Sequence, residues 1–140
     1  MANGSKGSTA GYSILVVDDE EAVVGLCRAC IEHALGEEYQ VLEARDGAEA
    51  LAKAERERPD LILLDIMMPG MDGFEVCRRL KASPNTKDIP VVFLTALGED
   101  KDVEHGLALG GEGYVIKPFS AVTLAAQITE LLTPTGDQAE

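Results

Sequence analysis

The sequence predicts an α/β protein in which helices cover both faces of a parallel β-sheet. Five short stretches of mainly aliphatic residues alternate with five stretches of helical periodicity, and such alternation favours parallel strands joined by right-handed crossovers. Residues 61–64 are four large aliphatics without polar alternation, which is typical of a strand buried on both faces. We therefore expect a doubly wound (βα)5 sheet.

The first half of the chain supplies two strand–helix units. Residues 14–17 form the first predicted strand, and residues 20–35 form an amphipathic helix. Residues 39–44 are the second predicted strand. Residues 47–58, rich in Ala, Glu, Lys and Arg, form the second predicted helix, which Pro59 ends before the central strand.

The second half continues the alternation from the central strand onwards. We predict a helix over residues 73–82, a strand over residues 89–95 with its proline near the entry, and a helix over residues 99–109. A short fifth strand follows over residues 113–116. Ser120 then caps the last helix, whose apolar positions suit the core.

The fourth predicted helix carries a glycine in its interior. Gly106 costs such a helix roughly 1 kcal/mol relative to alanine, and Gly110 with Gly111 ends it. We therefore expect this helix to be the least stable of the five.

The length of 140 residues suits a single domain with its own hydrophobic core, which we assign to residues 13–132. Residues 1–12 are rich in Gly, Ser and Ala, and residues 133–140 are short and mostly polar, so we expect a flexible leader and a flexible tail. No DNA-binding or enzymatic module would fit in that tail. We therefore expect output through a surface of the domain itself or through a relay to another protein.

Net charge limits the class of partner. The chain carries 12 Lys and Arg against 25 Asp and Glu, a formal charge of −13, and nucleic acid phosphates or anionic membrane surfaces would repel such a chain. No apolar run approaches the ~18 residues of a membrane span, and no secretory signal is present. We expect a soluble, cytoplasmic protein that binds other proteins, without nucleic acid contact or membrane insertion.

Cys27 and Cys30 form a C-x-x-C pair that is either redox-active or part of the core. In a redox helix the first cysteine lies at the helix N-terminus, where its pKa is lowered, whereas Cys27 lies about two turns inside the predicted helix. Both cysteines also fall on the apolar side of that helix. With an odd total of three cysteines, we expect a reducing compartment and core packing.

Acidic side chains follow two predicted strands at the edge where ligands bind in such sheets. Asp18 and Asp19 come directly after the first strand, and Asp65 ends the third. In a flavodoxin-like strand order of 2-1-3-4-5 these carboxylates would converge, and their repulsion would raise at least one pKa unless a divalent cation bound there. Mg²⁺ suits such oxygen ligands. Alternatively the aspartates merely begin a helix, although Glu20 and Glu21 alone could do that.

A hydroxyl and a cation lie at the ends of two further predicted strands. Thr95 closes the fourth strand, and Lys117 directly follows the fifth. Each residue alone would be an ordinary solvated strand end. Beside the three carboxylates, they indicate one polar site assembled from the ends of four strands.

Taken together, these residues resemble the receiver domains of bacterial two-component response regulators, in extent those of the stand-alone chemotaxis type. The resemblance runs over about residues 13–132. Its motifs are weak singly and strongly specific in this order and spacing: Asp18-Asp19, Asp65, residues 68–73, Thr95-Ala96 and Lys117-Pro118-Phe119.

The resemblance implies a phosphoacceptor, not an enzyme, that assists its own phosphorylation and dephosphorylation. Asp65 would take the phosphoryl group from a sensor histidine kinase, a histidine phosphotransfer protein or a small acyl phosphate. Mg²⁺ would be held by Asp19, Asp65 and the backbone carbonyl of Met67, with Asp18 acting chiefly through water. The downstream target would be a protein.

The resemblance also implies roles for residues at the ends of the fourth and fifth strands. Lys117 and the backbone of Ala96 would bind the phosphoryl group, and the Lys117-Pro118 bond would be cis. Thr95 would move towards that group and let the Tyr114 ring turn from an exposed to a buried position. The alternative for Tyr114 is a ring that simply covers the sheet edge.

Two apolar side chains would flank the path of the water that hydrolyses the phosphorylated state. By resemblance these are Met67 and Leu97. Because apolar side chains cannot orient water through hydrogen bonds, we expect slow self-dephosphorylation. The alternative is that both residues cover neighbouring core without kinetic effect.

Two other functions remain open from the sequence. A Mg²⁺-dependent aspartyl-phosphate phosphohydrolase would need a second Asp two residues after its nucleophile, where Met67 stands, and a substrate-cap insertion. A degenerate receiver would act only as a binding module, although all the reactive positions are intact. Turnover of a phosphate ester would favour the first alternative, and failure of an acyl phosphate to label the protein would favour the second.

Overall fold

A computed structural model of the chain describes residues 11–96 and 100–132. Within them, strands and helices alternate five times, as the sequence predicts, in the order β1 (Tyr12–Val17), α1 (Glu21–Leu35), β2 (Tyr39–Ala44), α2 (Gly47–Glu57), β3 (Leu61–Asp65), α3 (Gly73–Ala82), β4 (Val91–Thr95), α4 (Asp100–Ala108), β5 (Gly113–Ile116) and α5 (Ala121–Leu132). Most of the predicted leader, the whole predicted tail and Leu97 lie outside the described residues.

The five strands form one parallel sheet in the order β2-β1-β3-β4-β5. The predicted doubly wound fold and its 2-1-3-4-5 order are confirmed. Val17 of β1 pairs with Leu64 of β3, so the residues that follow them, Asp18 and Asp65, come at the same edge of the sheet.

The sheet divides the hydrophobic core into two layers because successive side chains of a strand point to opposite faces. One layer joins Leu15, Val17 and Leu64 to residues of α2 and α3, whereas the other joins Ile14 and Val16 to residues of α1 and α5. Every residue of β3 is buried. The prediction of a central strand covered on both faces is therefore confirmed.

Three of the described helices begin directly after a residue whose side chain caps the helix N-terminus. The carboxylates of Asp46 and Asp72 accept the backbone N–H groups of Glu49 and Glu75 at 2.8 and 2.9 Å. The predicted cap at Ser120 is confirmed, because its Oγ accepts the N–H of Thr123 at 3.1 Å and the helix begins at the next residue. These bonds satisfy donors that a helix N-terminus otherwise leaves unpaired.

Some predicted ends are wrong by one or two residues. β1 includes Tyr12, whose ring stacks on Tyr39 at a centroid distance of 5.3 Å, so this residue belongs to the sheet and not to the leader. α2 stops one residue early because Arg58 adopts a left-handed φ of 50°. β4 begins at Val91 and not at Ile89.

The C-x-x-C pair is packed in the core, as predicted. Cys27 is fully buried on α1 and Cys30 packs against the same cluster. Burial raises the pKa of the Cys27 thiol to about 12, with a smaller contribution from the charge of Asp18. A thiol held protonated in this way is a poor nucleophile.

Among the described residues, no helix is long and apolar enough to cross a membrane.

Candidate functional site

The three predicted carboxylates meet at the carboxyl edge of the sheet. Asp18 follows β1, Asp65 ends β3, and these strands are neighbours. One carboxylate oxygen from each of Asp18, Asp19 and Asp65 lies within 4.8 Å of the other two. Asp18 and Asp65 are buried, whereas Asp19 is exposed. The site is therefore a pair of buried acids with a third acid at its mouth.

Lys117 places its ammonium group between the two buried acids. Its Nζ lies 3.0 Å from Oδ2 of Asp18 and 3.2 Å from Oδ1 of Asp65. The backbone N–H of Lys117 donates to the carbonyl of Thr95 at 2.8 Å, which fixes the start of the segment after β5. The Lys117-Pro118 peptide bond is cis, as the family resemblance implied. The carboxylate of Asp18 is also oriented, because its Oδ1 accepts the N–H of Glu20 at 2.9 Å.

The site perturbs the protonation of its members. Burial and, to a smaller extent, the charge of Asp18 raise the pKa of Asp65 to about 6, although Lys117 and the N–H of Met67 act in the opposite direction. Burial by itself lowers the pKa of Lys117, but hydrogen bonding and attraction to Asp18 and Asp65 more than offset that effect and raise it. The lysine therefore remains an ammonium group, while Asp65 is held in its charged form less firmly than an ordinary aspartate.

The donor set fits a small, hard divalent cation. Three carboxylates against one ammonium group leave an excess of negative charge in a partly desolvated crevice, which is unfavourable unless a cation offsets it. Mg²⁺ takes oxygen ligands and commonly binds through one or two carboxylates together with waters. Asp18, Asp19 and Asp65 supply ligands of that kind.

The remaining predicted site residues surround this cluster unevenly. Thr95 is buried at the end of β4, and Ala96 follows it at the surface. Met67, two residues after Asp65, has a side chain that is 62% exposed. Leu97 lies outside the described residues.

Tyr114 is half-buried in the structure, between the exposed and the buried position of the predicted switch. Its ring packs against Phe93 with 5.2 Å between ring centroids and joins the core layer on the side of α2 and α3. The ring reaches this position because the facing residue of α4 is Gly106, which has no side chain to obstruct it.

Gly73 belongs to the motif at residues 68–73, but the sequence did not reveal its contact with the acceptor strand. It opens α3, and its N–H donates to the carbonyl of Ile66 at 2.9 Å. A β-carbon there would lie 2.8 Å from Cα of Ile66 and closer still to the carbonyl oxygen of Asp65. Only glycine lets the start of α3 press against the backbone of Asp65. The feature of the sequence that could have indicated this role is a glycine at the first position of a helix, directly after the capping residue Asp72.

Comparison with known proteins gives a consistent family. The chain matches the family described as "Response regulator receiver domain" over residues 14–129. It is 51% identical over 118 residues to response regulator PleD of Caulobacter vibrioides, which corresponds to 84% of this chain and 25% of that protein. The chain spans between a quarter and about half of the length of the curated relatives that it matches, and several of these are named as transcriptional regulators.

Solved structures give the same relationship. Chemotaxis protein CheY4 of Vibrio cholerae has a TM-score of 0.81 at 33% identity, with 88% of this chain and 100% of that chain covered. The receiver domain of sensor histidine kinase PA1611 from Pseudomonas aeruginosa has a TM-score of 0.79 at 33% identity, with 89% and 100% covered. That second structure is described as having a magnesium ion coordinated in the active site cleft.

The raised pKa of Asp65 predicts how stability changes with pH in metal-free buffer. The folded state holds the Asp65 proton more tightly than the unfolded state does, so ionisation of this group destabilises the fold as pH rises from about 4 to about 6. Asp65→Asn removes that effect. We expect it to raise the free energy of unfolding at pH 7.5 by on the order of 1–2 kcal/mol and to have little effect at pH 4.

Urea unfolding of both proteins in the presence of a chelator, at both pH values, measures this difference. Asp88→Asn, at an exposed position in the loop before β4, is the matched control and should change neither value. Lower stability of Asp65→Asn than of wild type at pH 7.5 would show that ionised Asp65 does not destabilise the fold.

Proposed function

The chain belongs to the response regulator receiver domain family, and we propose from this premise that Asp65 is its phosphoryl acceptor. The family acts as a phosphoacceptor switch of two-component systems. The observation that carries the assignment is the position of Lys117, whose ammonium group contacts both Asp18 and Asp65. Asp65 is the buried acid that ends the central strand, and Asp19 lies at the mouth of the same crevice.

The proposed chemistry is a transfer of the phosphoryl group to a carboxylate oxygen of Asp65. That oxygen attacks phosphorus, and the bond from phosphorus to the donor atom breaks, leaving its electron pair on the imidazole nitrogen of a phosphohistidine or on the carboxylate of a small acyl phosphate. The product is an acyl phosphate on Asp65. Apart from the acceptor itself, catalysis of this step depends on positioning and on offsetting charge.

Several residues would position and neutralise the transferred group. Lys117 is already within 3.2 Å of the acceptor carboxylate and would pair with a phosphoryl oxygen, while the exposed backbone at Ala96 would donate to another. Asp18, Asp19 and Asp65 would hold Mg²⁺, together with the backbone carbonyl of Met67. Bound Mg²⁺ supplies positive charge beside the phosphoryl oxygens. In this sense the protein assists its own phosphorylation. It is itself the phosphoryl acceptor and does not turn over a separate substrate.

We propose a histidine kinase or a histidine phosphotransfer protein as the donor and a protein as the direct partner of this domain. The formal charge of −13 disfavours direct contact between the domain and nucleic acid. Family membership and Met67 at the second position after the acceptor both weigh against the phosphohydrolase alternative.

Phosphorylation should depend on both Asp65 and the metal. We expect acetyl phosphate with Mg²⁺ to add one phosphoryl group to the wild-type chain, and we expect no addition to Asp65→Asn or after removal of Mg²⁺ with a chelator. Asp19→Asn should slow labelling markedly while leaving the fold intact, because Asp19 is exposed. Intact-protein mass spectrometry measures the result.

Asp88→Asn again serves as the control and should label like wild type. Equal labelling of Asp65→Asn would refute the assignment of the acceptor. Release of phosphate from a phosphate ester with multiple turnovers would favour the phosphohydrolase alternative.

Thr95 and Tyr114 would transmit the change to the surface. Thr95 is buried at the end of β4, one residue from Ala96, and β4 pairs with β5, which carries Tyr114. A phosphoryl group offers new acceptor oxygens to the Thr95 hydroxyl, and a shift of Thr95 would change the space beside the Tyr114 ring. The neighbouring helix α4 contains Gly106 and should yield most readily.

Amide hydrogen exchange tests this coupling. We expect phosphorylation to change protection across β5 and α4 in the wild-type protein, and we expect Thr95→Val to lose most of that change, because it removes the hydroxyl at nearly constant volume. Labelling by acetyl phosphate should persist in the variant. Unchanged protection in phosphorylated wild type would contradict the switch.

Met67 and Leu97 would make the phosphorylated state long-lived. The Met67 side chain is mostly exposed, so it does not cover the neighbouring core and is free to crowd the approach of water. A polar side chain at either position could orient that water through hydrogen bonds.

We therefore expect Met67→Asn and Leu97→Glu, singly and together, to lose the phosphoryl group faster than wild type. First-order decay after removal of acetyl phosphate measures the rate. Val122→Asn, an exposed apolar position on α5, is the matched control and should decay like wild type. Equal or slower decay in all three site variants would exclude this role.

A further inference from the structure

Gly106, which the sequence marks only as a weak point of α4, lies at the centre of a group of aromatic rings. It is buried, and a β-carbon placed there would lie 2.8 Å from Cε2 of Phe93 and closer still to the hydroxyl oxygen of Tyr114. Real β-carbons almost never approach other atoms so closely. The hydroxyl of Tyr114 therefore occupies space that is available only because residue 106 has no side chain.

The aromatic contacts continue from this point into α3. Tyr114 packs on Phe93 with 5.2 Å between centroids, and Phe93 meets Phe74 of α3 edge to face at 5.5 Å. Phe74 in turn meets the ring of His105, the residue before Gly106, at 4.6 Å. The rings thus surround this turn of α4, and Tyr114 contacts it at Gly106.

The C-terminal end of α4, next to Gly106, is tied to the start of β4, although the helix as a whole is the one expected to yield most readily. The N–H groups of Gly110 and Gly111 donate to the carbonyls of Leu107 and Gly106, both at 3.0 Å. Beyond them, Glu112 forms two bonds with Val91 at the start of β4, one through its own N–H and one through its carboxylate, each 2.8 Å long. At this turn a side chain at residue 106 would therefore displace the end of the Tyr114 ring more easily than the backbone of the helix.

We propose that Gly106 is the positioning residue for Tyr114, the residue that lets its hydroxyl lie beneath α4. A methyl group at residue 106 drives the ring outward into solvent. The consequence for signalling rests on the proposed switch at Thr95 and Tyr114. If a side chain at residue 106 holds the Tyr114 ring outward, the ring cannot move between an inward and an outward position when Asp65 is phosphorylated. The contact itself can be measured without any phosphoryl transfer.

Fluorotyrosine labelling provides a direct test, because the chain contains three tyrosines and no tryptophan. Loss of one ¹⁹F signal in Tyr114→Phe identifies the Tyr114 resonance. In unphosphorylated Gly106→Ala we expect a soluble gadolinium chelate to broaden this resonance several-fold more than in wild type, while the Tyr12 and Tyr39 signals stay unchanged. Equal broadening in the two proteins would overturn the proposal.

Gly25→Ala is the matched control. Gly25 is also inside a helix, but a β-carbon there meets nothing within 4 Å. Both substitutions bring the same gain in helix propensity, so Gly25→Ala should raise the melting temperature and leave the Tyr114 signal as in wild type. Gly106→Ala should lower the melting temperature, and Tyr114→Phe should restore part of that loss, because it removes the atom that the methyl group meets.

If Gly106→Ala alone does not fold, the double variant with Tyr114→Phe decides. A folded double variant supports the proposal, and an unfolded one, with Gly25→Ala folded, overturns the role of the hydroxyl. In folded Gly106→Ala, acetyl phosphate should still label Asp65, while the change in the Tyr114 signal on phosphorylation should be largely lost. Absence of labelling in wild type itself would refute the proposed function and leave the measurement on the unphosphorylated protein standing.

Discussion

Two carboxylates, those of Asp18 and Asp65, are buried side by side at the end of adjacent strands, and their repulsion sets the requirements of the site. The ammonium group of Lys117 offsets part of this charge from the end of β5, on the far side of β4. Asp18, Asp65 and Lys117 come from the ends of β1, β3 and β5. The site can therefore form only if the strands have this order and the central strand is buried. The remaining negative charge makes the crevice suitable for a cation. The positive charge of that cation, together with Lys117, would in turn attract a phosphoryl group.

Acidic residues have a structural function at the other end of the strands, where β1 and β4 begin. There the carboxylate of Asp60 accepts the N–H of Ser13 at 2.7 Å, and that of Glu112 accepts the N–H of Val91 at 2.8 Å. Such acids satisfy backbone donors near the starts of β1 and β4. The sheet therefore has one edge closed by hydrogen bonds and one edge at which charges are left to meet a ligand.

The helices on the two faces of the sheet also differ in how tightly they are held. α1 and α5 pack on one face through a layer that includes fully buried Ile31 and Ile128. α4 meets the other face through a glycine and aromatic rings, with Gly106 in the helix and Gly111 in the turn after it both next to Phe93. Rings can turn where a close-packed aliphatic layer cannot without opening a cavity. Because of this difference in packing, we expect a structural change that begins at the carboxylate site to occur around α4 and β5.

By itself, the sequence determined the number, type and order of the elements, because buried strands and amphipathic helices have local periodicities. It also placed Asp18, Asp65, Thr95 and Lys117 at strand ends, and the family resemblance supplied their proposed roles. Element ends were less certain, since they depend on single backbone conformations such as that of Arg58.

Only the tertiary structure decided which strands are neighbours and which side chains touch. Lys117 contacts Asp18 across 99 positions of sequence, and no local pattern encodes such a contact. The same holds for Gly73 and Gly106: a glycine looks locally like a turn residue or a weak point in a helix. Its function as a place of close approach exists only once another part of the chain, Asp65 in one case and Tyr114 in the other, has been packed against it.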